Sequence, residues 1–361
     1  MDKLFHFVFT TVTQKATPTM ADLSGAGVIS TQLPGSELTC SHSKVYADVF
    51  YLYMYAITPV AMSGIVLNVI NLIVLRHMQK KATTSVFLLR MLAGCDLFFL
   101  IICIVYFFVR PMFVYLRNSI EVFSLSDDKI ASAISFLMEP FYYSSLQARN
   151  WMIVLVTFER FLNIVFPLWA RGHCTKGNLG KAAVCIFLVA LAFALPGYYH
   201  KYLVNGKNPC TGAVELQSRL RQESKPFRNT TYVVVTVFVP MCLIYTMNII
   251  LVISVRNAMR SRQSTTDKER MRDERGQTQA TLTVISIVVL FTVCETLPGL
   301  DRVIVLFSGA PFARDSPFFN YVRKSGLFLI VFDSAMNFVA YCFSNRSFRQ
   351  SFVVMFRMAQ P

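Results

Sequence analysis

Ionisable residues lie inside stretches of the chain that are otherwise apolar. Glu159-Arg160 closes one such stretch, Arg149 lies eleven residues before Arg160, and Asp96 and Asp333 lie inside two others. A charged side chain in hydrocarbon is unfavourable unless it is paired or hydrated, so such residues mark functional sites by default. A guanidinium can neutralise neighbouring carboxylates and donate several hydrogen bonds to them. These residues therefore predict ion pairs that hold a membrane protein in one conformation and can release it.

The apolar stretches must supply the helices that position these side chains. The chain has 361 residues, of which 54% are hydrophobic and 15% charged, more apolar surface than a soluble domain of this size can bury. Seven runs approach or exceed the roughly 20 residues that span about 30 Å of hydrocarbon. They are predicted at about 51–75, 85–109, 131–166, 181–199, 230–255, 277–307 and 322–343. Because lipid offers the backbone no other hydrogen-bond partner, we expect an all-α membrane protein, a seven-transmembrane helix bundle.

Charge and composition divide the chain into three expected regions. Residues 1–50 form an extracellular tail that is expected to be disordered, 51–346 form the membrane domain, and 347–361 form an amphipathic helix with a short cytoplasmic tail. The short loops around 76–81 and 171–181 are basic and lack acids, which favours the cytoplasmic side although the outer segment 201–228 is also basic. The net charge of +15 then reflects anchoring to anionic lipid at the plasma membrane, and no nucleic-acid partner is expected.

Two features of the outer side concern covalent chemistry. Of the nine cysteines, only Cys40 and Cys210 lie clearly outside, where a disulfide persists. Their pairing would require a flexible tail to reach the second outer loop. The sequence Asn229-Thr230-Thr231 is an acceptor for an N-linked glycan on Asn229.

Further polar and helix-bending residues occur at one or two places in most spans. They are Asn68 in the first, Asp96 in the second, Pro240 in the fifth, Phe291 and Pro298 in the sixth, and Asn337 and Tyr341 in the seventh. Any one of them could simply join two helices or bend one. Their joint order, with Glu159-Arg160 closing the third span, resembles the rhodopsin-like family of G-protein-coupled receptors over about residues 50–357.

Within that family, the chain most resembles invertebrate FMRFamide-type neuropeptide receptors and related orphan receptors. The likeness rests on Asn-Phe-Val-Ala-Tyr-Cys-Phe at 337–343 and on Pro-Phe-Tyr-Tyr-Ser-Ser at 140–145. The resemblance implies a receptor for a short amidated neuropeptide that activates a heterotrimeric G protein, without a cofactor, metal or catalytic residue. It also implies a short eighth helix at 347–358, whose apolar side carries Phe348 and Phe352.

The resemblance further assigns roles to the charged residues. Arg160 is locked to Glu159 at rest and freed on activation to meet a helix of the G protein, while Asn337 and Tyr341 rearrange around it. Asp96 takes the position of an aspartate that lines a sodium pocket in many members, and Arg149 and Asp333 face the same region. We therefore expect Arg149 to replace the sodium ion. In the alternative, Arg149 faces the backbone carbonyls of a neighbouring helix and a sodium site remains.

Ligand-binding candidates lie in the outer half of the bundle. They are Glu139, Tyr142, Tyr143, Gln147, Asp301 and Arg302. Glu139 or Asp301 could form a bidentate pair with the arginine of an Arg-Phe-amide peptide, and the aromatic rings could hold its phenyl or guanidinium group. Alternatively, both acids simply pair with Arg302 or with the basic second outer loop. The aspartate that amine receptors carry in the third helix is Tyr142 here, which excludes an amine ligand by the same resemblance.

The chain departs from the family pattern at several positions. The third span has no cysteine near Ser135, Phe187 lies near the usual fourth-helix tryptophan, a polar stretch around Glu295 replaces the sixth-helix tryptophan, and Asn248 replaces the fifth-helix tyrosine. A transporter or channel is the alternative class, but it would favour repeat symmetry and broken helices, and neither is evident. The spans also lack the residue patterns of hydrolases and zinc peptidases, so an enzyme is not expected.

Overall fold

The computed structural model describes residues 52–78, 84–119, 125–196, 201–207, 214–220, 233–261, 268–308 and 317–358. All of them belong to one compact unit, His42–Pro361. Within it, seven long helices form a bundle and a short amphipathic helix follows the last of them. The predicted seven-helix bundle with an eighth helix is confirmed.

The described helices are numbered in chain order. They are α1 (Thr58–His77), α2 (Thr84–Ser119), α3 (Leu125–Val165), α4 (Pro167–His173), α5 (Lys176–Ala194), α6 (Val239–Ser261), α7 (Lys268–Ser308), α8 (Pro317–Ser344) and α9 (Arg346–Met358). Two π-helical turns, Tyr53–Ile57 and Val234–Phe238, lead into α1 and α6. The short α4 is a loop helix and α9 is the amphipathic helix, so the seven spans are α1, α2, α3, α5, α6, α7 and α8.

Six of the spans, all except α3, are long and apolar enough to cross a membrane by length and composition. The exception has a physical reason. Helix α3 packs against α2, α5, α6 and α7 and buries a row of polar side chains that includes Gln147, Arg149 and Asn150. Because neighbouring helices rather than lipid surround that row, α3 does not need an apolar composition.

Several helices extend beyond the ends of the predicted apolar runs. Helix α2 continues to Ser119 and α7 begins at Lys268, because the backbone hydrogen bonds of a helix do not end where the side chains become polar. Helix α5 begins at Lys176 because the side chain of Thr175 caps it, accepting a hydrogen bond from the backbone N–H of Asn178.

One β-hairpin adds to the helical architecture and was not predicted. Strand β1 (Lys201–Lys207) pairs antiparallel with β2 (Val214–Leu220), with Val204 opposite Gln217. The hairpin follows α5 in the chain, and β2 lies beside α3.

Glycine and proline residues influence how closely some spans approach each other and where a helix bends. A Cβ on Gly64 of α1 would lie 2.7 Å from the Ala335 Cβ of α8 and 2.9 Å from a Leu100 methyl carbon of α2. Only glycine therefore allows this contact. Pro298 lies inside α7 and faces Gly326 of α8, whereas Pro240 lies just after the π turn Val234–Phe238, which interrupts the regular α-helical hydrogen bonds at that point.

Two apolar cores fill the bundle. The α9-side core includes Leu88, Met152, Phe291, Tyr341 and Phe348, and the Tyr142-side core includes Tyr53, Phe99, Tyr142, Leu146 and Leu327. Along α3, Arg149 lies between Leu146 of one core and Met152 of the other, and along α2, Asp96 lies between Leu92 and Phe99. A polar layer therefore separates the two cores.

Candidate functional site

In this polar layer, one arginine contacts acids from three other helices. Arg149 on α3 is fully buried. Its Nε lies 3.0 Å from Oδ1 of Asp96 on α2, and its Nη1 lies 3.2 Å from Oε1 of Glu295 on α7. Its Nη2 is ion-paired with Oδ2 of Asp333 on α8. Four spans therefore meet at one side chain, and we call these four residues the Arg149 cluster.

Amides extend the Arg149 cluster towards the remaining spans. Asn337 Nδ2 donates to the second oxygen of Asp96 at 2.6 Å. Asn68 Nδ2 on α1 donates to the carbonyl of Ser334 on α8 at 2.9 Å. Asn150, whose Oδ1 accepts from Arg149, donates to the Thr236 carbonyl in the π turn before α6 at 3.2 Å. Every buried amide in this chain of contacts bridges two helices, which is the role that polar groups play in membrane bundles.

The sequence predicted part of this site. It placed Asp96, Arg149 and Asp333 together, and the structure brings the guanidinium within ion-pair distance of both carboxylates. Arg149 thus faces acids and not the carbonyls of a neighbouring helix. Glu295 was not predicted to join these residues, because its position suggested only the replacement of an aromatic side chain. The available signal was a glutamate inside the sixth apolar run, one turn after Phe291. In the structure the Phe291 ring centroid is 5.9 Å from the Arg149 guanidinium carbon.

A second ion pair lies at the end of α3. Arg160 Nε is 3.0 Å from Oε2 of Glu159, and both residues are buried. The other oxygen, Oε1, accepts from the Thr84 hydroxyl at 2.6 Å, from Ser85 at 3.4 Å and from Asn163 Nδ2 at 2.9 Å. Thr84 and Ser85 begin α2, so the positive end of that helix also favours the carboxylate.

The three residues that hold Glu159 were not predicted. Thr84 and Ser85 come from the start of another helix, and Asn163 lies one turn after Glu159 on α3. The run Thr83-Thr84-Ser85 before an apolar span was the available signal, because hydroxyl residues favour helix starts.

The α9 end of the bundle is fixed by Tyr341 and its neighbours. Tyr341 is buried, and its ring centroid lies 5.5 Å from that of Phe348 on α9. Asn345 caps α9, its Oδ1 accepting from the backbone N–H of Phe348 at 3.1 Å. Arg349 Nη1 donates to the carbonyls of Cys342 and Phe343 at the end of α8. Helix α9 therefore docks against α8 through an apolar face and through the hydrogen bonds that Arg349 donates to the last carbonyls of α8.

The ligand-binding candidates divide into two groups. Tyr142 is packed in the Tyr142-side core, where its ring stacks on Tyr106 at 5.1 Å and contacts Phe107 and Tyr143 edge-on. Glu139 and Gln147 are also buried on α3, whereas Tyr143 is half-buried. The structure thus places much of the α3 group inside the bundle.

The second group lies at the end of α7. Asp301 Oδ2 is 3.4 Å from Nε of Arg323 on α8, a partner that neither sequence-based alternative named. Arg302, beside it, is half-buried. The neighbouring Lys324 Nζ donates to the Tyr53 hydroxyl at 2.8 Å, which joins α8 to the π turn before α1. An acid with a partly exposed cationic partner is a site where an incoming cation can compete.

The predictions on covalent chemistry fall on Cys40, Cys210 and Asn229, which lie outside the described residues. The disulfide and the glycan stay predictions. Within the described part of the chain, the seven cysteines are free thiols.

The bundle of seven spans and its polar layer define a class, that of seven-helix membrane receptors. The family model described as "7 transmembrane receptor (rhodopsin family)" matches residues 67–341, most of the chain. The chain therefore belongs to the rhodopsin family of seven-transmembrane receptors. It is a multi-pass membrane protein of a family of receptors and not of enzymes.

Comparison with individual proteins shows which members of the family the chain resembles. The chain is similar to the "FMRFamide receptor" of Drosophila melanogaster, with 25% identity over 315 residues, which are 85% of this chain and 54% of that receptor. It is 22% identical over 313 residues to a "Probable G-protein coupled receptor" of Caenorhabditis elegans, covering 84% of this chain and 69% of that protein. The chain spans about half the length of the Drosophila receptor. The predicted likeness to FMRFamide-type receptors is confirmed.

Proposed function

We propose that the protein is a plasma-membrane receptor for a short amidated neuropeptide and that it activates a heterotrimeric G protein. The N-terminus is extracellular, and the α9 end of the bundle faces the cytoplasm. The observation that carries this proposal is the similarity to an FMRFamide receptor over 315 residues, joined to a buried ion pair at the end of α3.

The Glu159–Arg160 pair is the proposed switch for the G protein. The hydroxyls of Thr84 and Ser85 and the amide of Asn163 all bind Glu159, so the carboxylate stays fixed to α2, while Arg160 has one charged partner among the residues that the structure describes. Activation would release Arg160 from this partner towards the G protein, with Asn337 and Tyr341 rearranging at the same end. Helices α6 and α7 would move when Arg160 is released. They carry Pro240 on α6 and Phe291 and Pro298 on α7.

Asp301 is the proposed anchor for a cationic residue of the peptide. Its partner Arg323 is 42% exposed at the side chain, so a peptide arginine can displace it and gain a bidentate contact. Glu139, Tyr142, Tyr143, Gln147 and Arg302 complete the proposed binding region. Glu139, Tyr142 and Gln147 would shape the floor of that region, while Asp301, which is also buried, would meet the ligand once Arg323 is displaced.

The Arg149 cluster is the proposed replacement for a bound sodium ion. A guanidinium with contacts to Asp96 and Asp333 supplies the positive charge that a cation would otherwise provide. A fixed side chain cannot exchange with the medium, so the receptor's resting state would not depend on external sodium.

A peptide screen tests the proposed function. The full chain is expressed in cells with a G-protein dissociation sensor and exposed to a library of short amidated peptides, each paired with its free-acid form. We expect response to amidated peptides with an arginine near the C-terminus, and loss of that response in Arg160→Ala at equal surface expression. Responses that are equal for the amidated and free-acid forms would contradict the amide preference. A response that persists in Arg160→Ala would contradict the switch.

A further inference from the structure

The Arg149 cluster contains more acid than base. Asp96, Glu295 and Asp333 all contact the one guanidinium, so the cluster carries a formal charge of −2 if every member is ionised. The four side chains are 0–3% exposed. A buried group that lacks a counter-charge tends to become neutral by taking up a proton.

The surrounding helices do not supply the missing positive charge. The polar neighbours are uncharged amides and hydroxyls: Asn68 on α1, Asn150 on α3, Thr236 before α6, and Ser334 and Asn337 on α8. The titratable neighbours are the thiols of Cys95, Cys103 and Cys294 and the phenol of Tyr341. In the part of the bundle that the structure describes, Arg149 is the only basic side chain within ion-pair distance of the three acids.

These titratable neighbours cannot balance the cluster near neutral pH. Thiols and phenols ordinarily titrate at about 8.5 and 10, and ionising them would add negative charge. A metal ion is not favoured either, since no group of three or more His, Cys, Asp or Glu among the described residues could hold one. Protons on the carboxyl groups are the remaining means of balance.

Hydrogen-bond geometry shows how the three acids share the guanidinium. Both oxygens of Asp96 accept, one from Arg149 Nε at 3.0 Å and the other from Asn337 Nδ2 at 2.6 Å, the pattern of an ionised carboxylate. Glu295 and Asp333 each direct one oxygen to the guanidinium. The three acids therefore share one guanidinium, which can balance the charge of only one of them.

We propose that the Arg149 cluster is a two-proton binding site in which two of the three carboxyl groups are protonated and the third is ionised. The cluster is then neutral overall, with one carboxylate, one guanidinium and two carboxylic acids. Because the three acids come from α2, α7 and α8, any movement that separates one of them from Arg149 changes which acid holds a proton. Proton binding is thereby coupled to the packing of four spans.

Infrared spectroscopy tests this proposal on the purified full-length receptor in lipid nanodiscs at pH 7.5. The measured signal is the C=O stretching band of protonated carboxyl groups, identified by its shift in D2O. No ligand or G protein is present, so the result stands apart from the proposed function. Glu295→Gln and Asp333→Asn are near-isosteric, and each leaves one proton to balance the remaining acids. We expect each variant to lose one carboxyl's worth of the band and the double variant to lose two.

The matched control is Asp301→Asn, which removes an acid already paired with Arg323 and should leave the band unchanged. Arg149→Gln removes the cation and should increase the band by one carboxyl, because the one ionised acid of the cluster then loses its counter-charge. A band that is absent at pH 7.5, or that stays unchanged in both Glu295→Gln and Asp333→Asn, would overturn the proposal. The charge would then have to be balanced by a cation from the medium.

Discussion

Two arginines on α3 use the same chemistry in opposite ways. Arg149 is shared by acids that lie 53 and 146 residues away in the sequence, and by Asp333 on a fourth span. Arg160 pairs with Glu159, its immediate neighbour on the same helix. The first pairing joins distant parts of the chain, so it cannot break without separating helices. The second is local, so it can break while the bundle stays packed. This contrast predicts that Arg149 serves stability and Arg160 serves signalling.

The largest effect is expected from removing Arg149. Arg149→Met removes the counter-charge of the one ionised acid and the hydrogen-bond donor shared by all three, and it should lower the stability of the receptor by about 3–5 kcal/mol. The measurement is the apparent Tm and the folded yield of the purified receptor in nanodiscs. Arg149→Lys is the matched control, since it keeps the charge and should lose less. A Tm of Arg149→Met equal to that of the unmodified receptor would remove the contrast between the two arginines.

Removing Arg160 should impair signalling more than stability. Arg160→Ala should abolish agonist-driven nucleotide exchange while peptide binding is retained and Tm falls less than in Arg149→Met, because Glu159 keeps its hydrogen bonds from Thr84, Ser85 and Asn163. Glu159→Gln should raise basal exchange, since the resting partner of Arg160 is neutralised. Both are measured as nucleotide exchange on purified G protein at matched receptor amounts. Full signalling by a well-folded Arg160→Ala receptor would make this arginine only an anchor of the helix end.

Packing beside the Arg149 cluster should matter more than packing beside an open position on α2. Gly64→Ala places a Cβ 2.7 Å from that of Ala335, and the overpacking should destabilise by about 1–3 kcal/mol. Gly94→Ala is the matched control, because no atom lies within 4 Å of its added Cβ and alanine favours a helix. The apparent Tm of the two variants is compared. Equal values would mean that α1 shifts to accommodate the added methyl group without loss of stability.

At the proposed ligand-binding end of the bundle, the loss of one charge-assisted hydrogen bond should weaken peptide binding by about 1.5–3 kcal/mol. Asp301→Asn should weaken the potency of the best peptide from the screen correspondingly, whereas Arg323→Ala should strengthen it by removing a competitor for Asp301. Glu139→Gln tests the other candidate acid. The measurement is a concentration–response curve at equal surface expression. Unchanged potency in both acid variants would exclude ionic recognition of the peptide by these residues.

The smallest expected effect is that of sodium. Because a fixed guanidinium already contacts Asp96 and Asp333, replacing sodium by potassium at constant ionic strength should leave peptide affinity unchanged. Arg149→Ser, where it folds, should gain sodium sensitivity. Strong inhibition of peptide binding by sodium in the unmodified receptor would contradict the replacement.

The sequence predicted the features that depend on composition and on one helix at a time. Apolar runs located the seven spans, and spacing along α3 put Arg149 and Arg160 at different depths. The convergence of Asp96, Arg149 and Asp333 was also foreseen, with help from the family resemblance. Each of these follows from the helical period or from hydrophobicity, which the chain carries locally.

The missed features depend on which helices become neighbours. Glu295 joins Arg149, Thr84 joins Glu159 and Arg323 joins Asp301 only after lateral packing sets the distances. Local pattern does not specify that packing. The π turns before α1 and α6 were missed for a related reason, since their extra residue changes no composition.

The π turn at Val234–Phe238 has a consequence for comparing this receptor with its relatives. A turn closed between residues five apart holds one residue more than an α-helical turn. Each residue advances a helix by about 100°, so positions before the turn are rotated by that angle relative to a continuous α6. An ungapped alignment counted back from Pro240 to a relative without the turn would therefore equate residues that face different neighbours. Structure-based numbering of this helix requires a one-residue gap within Val234–Phe238.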